Sequence, residues 1–187
     1  QHGRFEKHCC YEPAVRAPLV IRLPGAAQAG RHSDALVEFI DIVPTILDRC
    51  GLATPATVQG RSLAAVLNGE TEKHREHVIV EYSENEEAMI RDNRYKLVYI
   101  TGRRQREDGY ATARPLDHRA IELFDEQSDP GELVNLADKP EQASRIDAFL
   151  HELADHLRRT ARRADLVPPS DDLYTFIDGC LVPHDVQ

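Results

Sequence analysis

His2 to Pro24 reads HGRFEKHCCYEPAVRAPLVIRLP. Its apolar run, Leu19-Val20-Ile21, lies behind Pro18 and ahead of Pro24-Gly25. A short unbroken apolar run closed by proline and glycine predicts a strand covered on both faces. Such strands belong to the parallel sheets of α/β domains, where ligands bind beyond the strand ends and loops hold the chemistry. Upstream, His2 to Tyr11 reads as a loop of that kind carrying the cation Lys7, and Tyr11 to Arg16 as a helical turn. Glu12 and Arg16 stand four apart, a spacing that lets them pair on one helix face and brace the loop.

Working outward, residues 25–33 form a glycine- and alanine-rich connection. Asp34 to Ile40 predicts a short strand, and Asp41 an N-cap for a helix with Pro44 in its first turn and Gly51 at its close. Arg61 to Leu67 predicts a second short helix ended by Asn68-Gly69. His77 to Tyr82 reads as a strand, and Ala88–Arg91 and Tyr95–Ile100 as hairpin arms around Asp92-Asn93. Tyr82 to Glu87 reads as a solvated acidic turn. Thr101 to Arg119 is polar and long enough to serve as a lid. Ala120 to Asp125 predicts the last strand. A helix over 141–162 then places Ile146, Phe149, Leu150, Leu153 and Leu157 on one apolar stripe facing a core.

The 187 residues suffice for one ordinary domain or one and a half small ones. A net charge of −9 disfavours nucleic acid as a partner. No apolar run is long enough to span a bilayer, so no membrane role is expected. Cys9-Cys10, Cys50 and Cys180 fit neither a disulfide framework nor zinc-ligand spacing. They read as reduced thiols in a cytoplasmic or periplasmic protein.

From His2 to Pro18 the spacing H-G-x-x-x-K-x-x-x-Y-E-x-x-x-R-x-P resembles a segment of the sulfatases of the alkaline-phosphatase superfamily, the one that follows their second metal-binding motif. Three more landmarks resemble that family in order. Val37 to Leu63 carries Asp41, Pro44-Thr45, Gly51, Pro55 and Gly60-Arg61-Ser62-Leu63. Ile90-Arg91 with Arg94-Tyr95-Lys96 looks like its "R…R-Y-K" hairpin. Glu122-Leu123-Phe124-Asp125, Asp129-Pro130-Gly131-Glu132 and Asn135-Leu136 look like its closing signature.

The resemblance implies an α/β fold of α+β character. Residues 1–70 would be the edge of a sulfatase α/β core, and 71–163 a small antiparallel sheet packed against a long helix. Residues 164–187 would be an extended tail. It further implies a metal-dependent sulfuric ester hydrolase in which Lys7 contacts the sulfate. His8, beside Lys7, is a candidate donor to a leaving oxygen, and His2 a candidate lining residue nearer the metal. The family's C/S-x-P-x-R nucleophile, oxidised to formylglycine, and its metal ligands have no match here. The expectation is therefore the C-terminal part of a longer sulfatase, inactive by itself, with no metal or cofactor of its own. Calcium or magnesium would belong to the intact parent. The expected partners are a small-molecule sulfate ester and the N-terminal part of the same sulfatase, and a homo-oligomer stays open. The alternatives are a related phosphodiesterase or phosphonate monoester hydrolase, and a non-catalytic interaction module.

Overall fold

The computed structural model describes residues 7–26, 29–103, 118–161 and 164–182. The described chain divides into two units: residues up to Ala17 join those from Ile79 onward, and Pro18–Val78 form the other.

The larger unit is built on a four-stranded sheet. Its strands, β1 (Val78–Tyr82), β2 (Glu87–Arg91), β3 (Tyr95–Ile100) and β4 (Ala120–Asp125), lie side by side in chain order. Asp92 closes the central hairpin, its carboxylate accepting from Arg94 N at 2.7 Å and Tyr95 N at 2.6 Å. The antiparallel register sets Ile90 opposite Leu97 and Leu97 opposite Leu123. One position along, Arg91 faces Lys96 and Lys96 faces Phe124. Because side chains alternate across a pleated strand, these two rows lie on opposite faces. The first face is apolar and the second carries charge.

Helix α4 (Ala143–Thr160) covers the apolar face. Phe149, Leu150, Leu153, Ala154 and Leu157 are buried there against Ala88, Ile90, Leu97, Tyr99 and Leu123, with Ile146 partly buried beside them. The expected sheet-and-helix architecture is thus present, with the helix two residues shorter at each end than 141–162. The stretch from 164, expected to be an extended tail, instead holds helix α5 (Leu173–Cys180). Asp172 caps it by accepting from Thr175 N at 2.8 Å, and Phe176 and Ile177 join the same core. Its Asp178 takes the Tyr99 hydroxyl at 2.5 Å and Arg119 at 2.6 Å. Burial, then the bond to Asp178, pushes the Tyr99 hydroxyl well above its ordinary range.

In the smaller unit the two predicted strands are absent. Leu19–Ile21 is irregular and in no strand, with Val20 92% exposed. Among the described residues no neighbouring strand offers it a ladder, so apolar content alone does not make it one. Residues 34–38 are irregular and run into a tight turn, Phe39–Asp41, ahead of helix α2 (Ile42–Arg49). The reason is Asp41. Its carboxylate does not cap the helix but folds back to accept from Glu38 N at 3.0 Å and Arg61 N at 2.8 Å. Arg75 and His74 close around it. Burial opposes its charge, yet the bonds from Arg75, Arg61 and Glu38 outweigh that and hold the carboxyl below its usual value. Thr45 then links α2 to the turn before helix α3 (Ala64–Asn68), accepting from Leu63 N at 2.9 Å. Gly60 is obligatory here, since a Cβ would run into the Ile40 carbonyl.

Leu150 is 1% exposed at the centre of the helix–sheet core. Leu150→Ala should cost about 2–5 kcal/mol in chemical denaturation, through lost transfer energy and a residual cavity. A change within the noise would mean the helix does not pack as described.

Candidate functional site

The charged face of the sheet receives the segment that carries Lys7. Lys7 is exposed and His8 half-buried, whereas Cys9, Cys10 and Tyr11 are buried. Tyr11 packs edge-on against Phe124 with ring centroids 6.1 Å apart, and its hydroxyl donates to Glu122 at 2.6 Å. Helix α1 (Glu12–Val15) starts there, with Pro13 in its first turn, where the missing N–H costs nothing.

Glu12 was expected to pair with Arg16 along the helix. It turns instead toward the sheet, where Arg91 Nη1 lies 2.7 Å and Lys96 Nζ 3.4 Å from its Oε1. Lys96 has no solvent exposure and meets Glu132 Oε1 at 2.6 Å. Glu132 also takes the Glu12 backbone N–H at 2.8 Å. It is delivered by the Asp129-Pro130-Gly131 turn, in which Asp129 accepts from Leu133 N and Val134 N at 2.8 Å each, and its own backbone is left-handed at φ +54°. Beside it Arg94 bonds to Asp125, which draws that carboxyl down to about 2. Three sequence landmarks far apart in the chain, Tyr11-Glu12, Arg91 with Lys96, and Glu132, therefore meet in one buried ionic cluster under the Lys7 arm.

The arm's outer side is tied to residues 82–87. The Tyr82 hydroxyl donates to Glu84 at 2.7 Å, so its oxygen is the acceptor for His8 Nδ1 at 2.9 Å. Asn85 Nδ2 donates to the His8 carbonyl at 3.2 Å. This stretch is not the solvated acidic turn the composition suggested: Asn85, Glu86 and Glu87 are buried. Glu86 sits at φ +51° and accepts from Thr101 at 2.7 Å and Arg103 at 2.9 Å. Glu84 alone among its carboxylates is exposed.

Lys7 and His8 are thus adjacent on an anchored arm. His2 lies outside the described residues, as do residues 104–117 of the expected lid. The anchors Lys96, Arg91 and Glu132 were not read as site residues. The available signal was charge at inward-facing strand positions, where burial demands a partner.

The chain matches the family described as N-sulphoglucosamine sulphohydrolase, C-terminal, over residues 1–160. It belongs to the sulfatases. It is 31% identical over 155 residues to N-acetylglucosamine-6-O-sulfatase of Bacteroides thetaiotaomicron, covering 78% of this chain and 25% of that one. It is 32% identical over 174 residues to human arylsulfatase K, covering 86% and 30%. The chain thus spans about a quarter to a third of the curated relatives it matches. A solved structure described as a complex with its substrate D-glucosamine-2-N,6-O-disulfate superposes with TM-score 0.67 at 27% identity, over 87% of this chain and 31% of that one. The phosphonate monoester hydrolase of Silicibacter pomeroyi superposes with TM-score 0.66 at 28% identity, over 89% and 34%.

A sulfatase suggests a metal, and a hard cation needs several oxygens converging on one point. Among the described residues no group of three His, Cys, Asp or Glu is placed to hold an ion, so they do not fit one. Nor is any described helix long and apolar enough to cross a membrane.

Lys96→Met should destabilise this sulfatase chain by about 3–5 kcal/mol, because Glu12 and Glu132 lose the cation buried between them. Denaturant titration measures it. Lys96→Met with Glu132→Leu should recover part of the loss, and no recovery would remove the pair from its central place.

Proposed function

We propose that the chain serves a sulfuric ester hydrolase in which Lys7 carries positive charge to the sulfate group. The supporting observation is the arm itself. Lys7 stays exposed while the residues behind it are locked by Tyr11, Glu12 and the Lys96 cluster. As a sulfate ester departs, charge builds on the sulfuryl oxygens and the leaving oxygen. Fixed positive charge aimed at those atoms is then the main service a protein can give. An ammonium offers three donors to a tetrahedral anion. A charge-assisted bond of roughly 1.5–3 kcal/mol realised in the transition state is worth about one to two powers of ten in rate.

His8 is the candidate donor to the leaving oxygen. Its Nδ1–H is held by Tyr82, whose own proton goes to Glu84, so the ring is oriented and the proton it would give to the leaving oxygen is one bound at Nε2. His2 remains a candidate lining residue. The names of the relatives support an ester on an amino sugar as the substrate class.

The nucleophile and a calcium or magnesium ion belong, in this reading, to the portion of the sulfatase that this chain does not span. That portion is also the proposed partner of the smaller unit, Pro18–Val78, as the core edge, whereas residues up to Ala17 and from Ile79 onward make up the sheet subdomain. Support comes from the apolar side chains of the smaller unit left in solvent: Val20, Phe39, Val43 and Ile46 are 92, 69, 54 and 56% exposed. Four cysteines without disulfides support a cytoplasmic or periplasmic setting. The likeness to a phosphonate monoester hydrolase keeps one second reading, the same scaffold acting on a phosphonate ester.

In the intact enzyme, Lys7→Ala should lower turnover of an aryl sulfate at least tenfold while leaving the melting temperature nearly unchanged, since an exposed cation contributes to the transition state and not to packing. Normal turnover would return Lys7 to the solvated surface. Faster wild-type turnover of an aryl phosphonate than of the sulfate would favour the second reading.

A further inference from the structure

Around Lys96 the charges do not balance. Glu12 comes from α1, Glu132 from the turn after β4, and Glu126 from the residue following β4, whose N–H donates to the Arg94 carbonyl at 2.7 Å. Against these three carboxylates stand two cations, Arg91 from β2 and Lys96 from β3. With every group in its ordinary ionised form the cluster holds one negative charge too many. It is also shielded: the side chains of Glu12, Glu126 and Glu132 are 10, 7 and 0% exposed. Glu126 is the poorly served member. Its Oε2 lies 4.0 Å from Arg91, and its buried Oε1 has no hydrogen-bond partner among the described residues; Glu12 Oε2 and Glu132 Oε1 have none either, but Glu12 and Glu132 each hold a closer cation, at 2.7 and 2.6 Å. A buried excess charge beside unpartnered carboxylate oxygens is relieved most cheaply by one proton.

We infer that Glu126 carries that proton near neutral pH and, neutral, is a positioning residue that keeps Glu12 and the Lys7–His8 arm seated on the sheet. Burial first, then the Glu12 charge and the Glu132 charge, raise its pKa to about 7 against the opposing pull of Lys96 and Arg91. Releasing the proton to water leaves a third buried negative charge facing Glu12, whose repulsion acts on the turn that carries the arm. That the arm belongs to a sulfate site rests on the function proposed above; the proton does not.

The sign follows from linkage. A carboxyl near 7 when folded and near its ordinary 4.5 when unfolded binds a proton in the folded state alone between those values. Its contribution favours folding as pH falls from about 8 to about 5 and is lost as pH rises through about 7. The folding equilibrium constant should change by up to tenfold per pH unit from this one group.

The test uses the full chain and needs no turnover. Denaturant stability is measured from pH 5 to 9 for wild type and Glu126→Gln, with Glu126→Leu as the second variant. Both variants should be flatter than wild type between pH 6 and 8 and more stable than it at pH 8. Hydrogen exchange, corrected for intrinsic rates, should show protection at Cys9–Glu12 falling at least fivefold from pH 6 to 8 relative to Leu150. The variants should lack that fall. Carboxyl-carbon NMR of the wild type reads Glu126 directly even if neither variant folds. A midpoint near 4.5, variant slopes equal to wild type, or arm protection that ignores pH would each overturn the inference. Such a failure leaves the Lys7→Ala test standing, and normal turnover in Lys7→Ala leaves the proton standing.

Discussion

Lys96 has no contact with solvent and lies between Glu12 and Glu132, 3.4 and 2.6 Å from their carboxylates. A lysine ammonium in that position is tolerable only while both partners are present, because the desolvation of an unpaired charge exceeds what any single packing contact returns. The requirement reaches far along the chain. Glu12 must come from the α1 turn, and Glu132 must come from a turn that places it at positive φ, a conformation a non-glycine residue adopts at a cost. The cost is met because Glu132 answers a buried cation, the Lys96 ammonium, and a buried donor, the Glu12 N–H.

The pleat of β3 turns this pairing into a division of labour. Leu97 and Tyr99 face α4 and supply the apolar core, while Lys96, one residue earlier, faces the other way. A single strand thus joins the part of the domain stabilised by area to the part stabilised by charge. Burial of apolar surface acts without direction, whereas charge-assisted contacts hold their partners in a set geometry. Exposed Lys7 inherits that fixed position through Cys9, Cys10 and Tyr11, all buried. The cation proposed to meet the sulfate is kept in water and its support is kept out of it.

What could be read from the sequence followed the same line. The Asp92 hairpin and the 3.6-residue stripe from Ile146 to Leu157 were legible because each is local: a turn residue and a period suffice. Leu19–Ile21 misled, since a strand is a relation between two segments and one apolar run holds half of it. Pairing Glu12 with Arg16 failed similarly. The i, i+4 rule describes what a helix offers in isolation, and a buried lysine 84 residues away outcompetes a solvated arginine. Of the candidate site, Lys7 was proposed from the motif spacing and His8 only as its neighbour. Their anchors were visible only as motif letters, because which charges meet is decided by sheet register and not by sequence distance.

Asp41 shows the same physics in the smaller unit. It too is fully buried, and it too gathers groups from distant positions: Glu38 N, Arg61 N, His74 and Arg75. There the partners outnumber the charge and the carboxyl is held below its ordinary value, whereas around Glu126 carboxylates outnumber cations and the value rises to about 7. One buried acid is therefore a fixed anion and the other a proton carrier, although the two residue types differ by a single methylene. The difference lies in the count of donors each fold brings to the spot. A fixed anion gives a joint that holds at neutral pH and loosens only as pH falls through its lowered value. A proton carrier gives a joint that tightens and loosens, and in this chain it is found beneath the one arm whose position the proposed chemistry depends on.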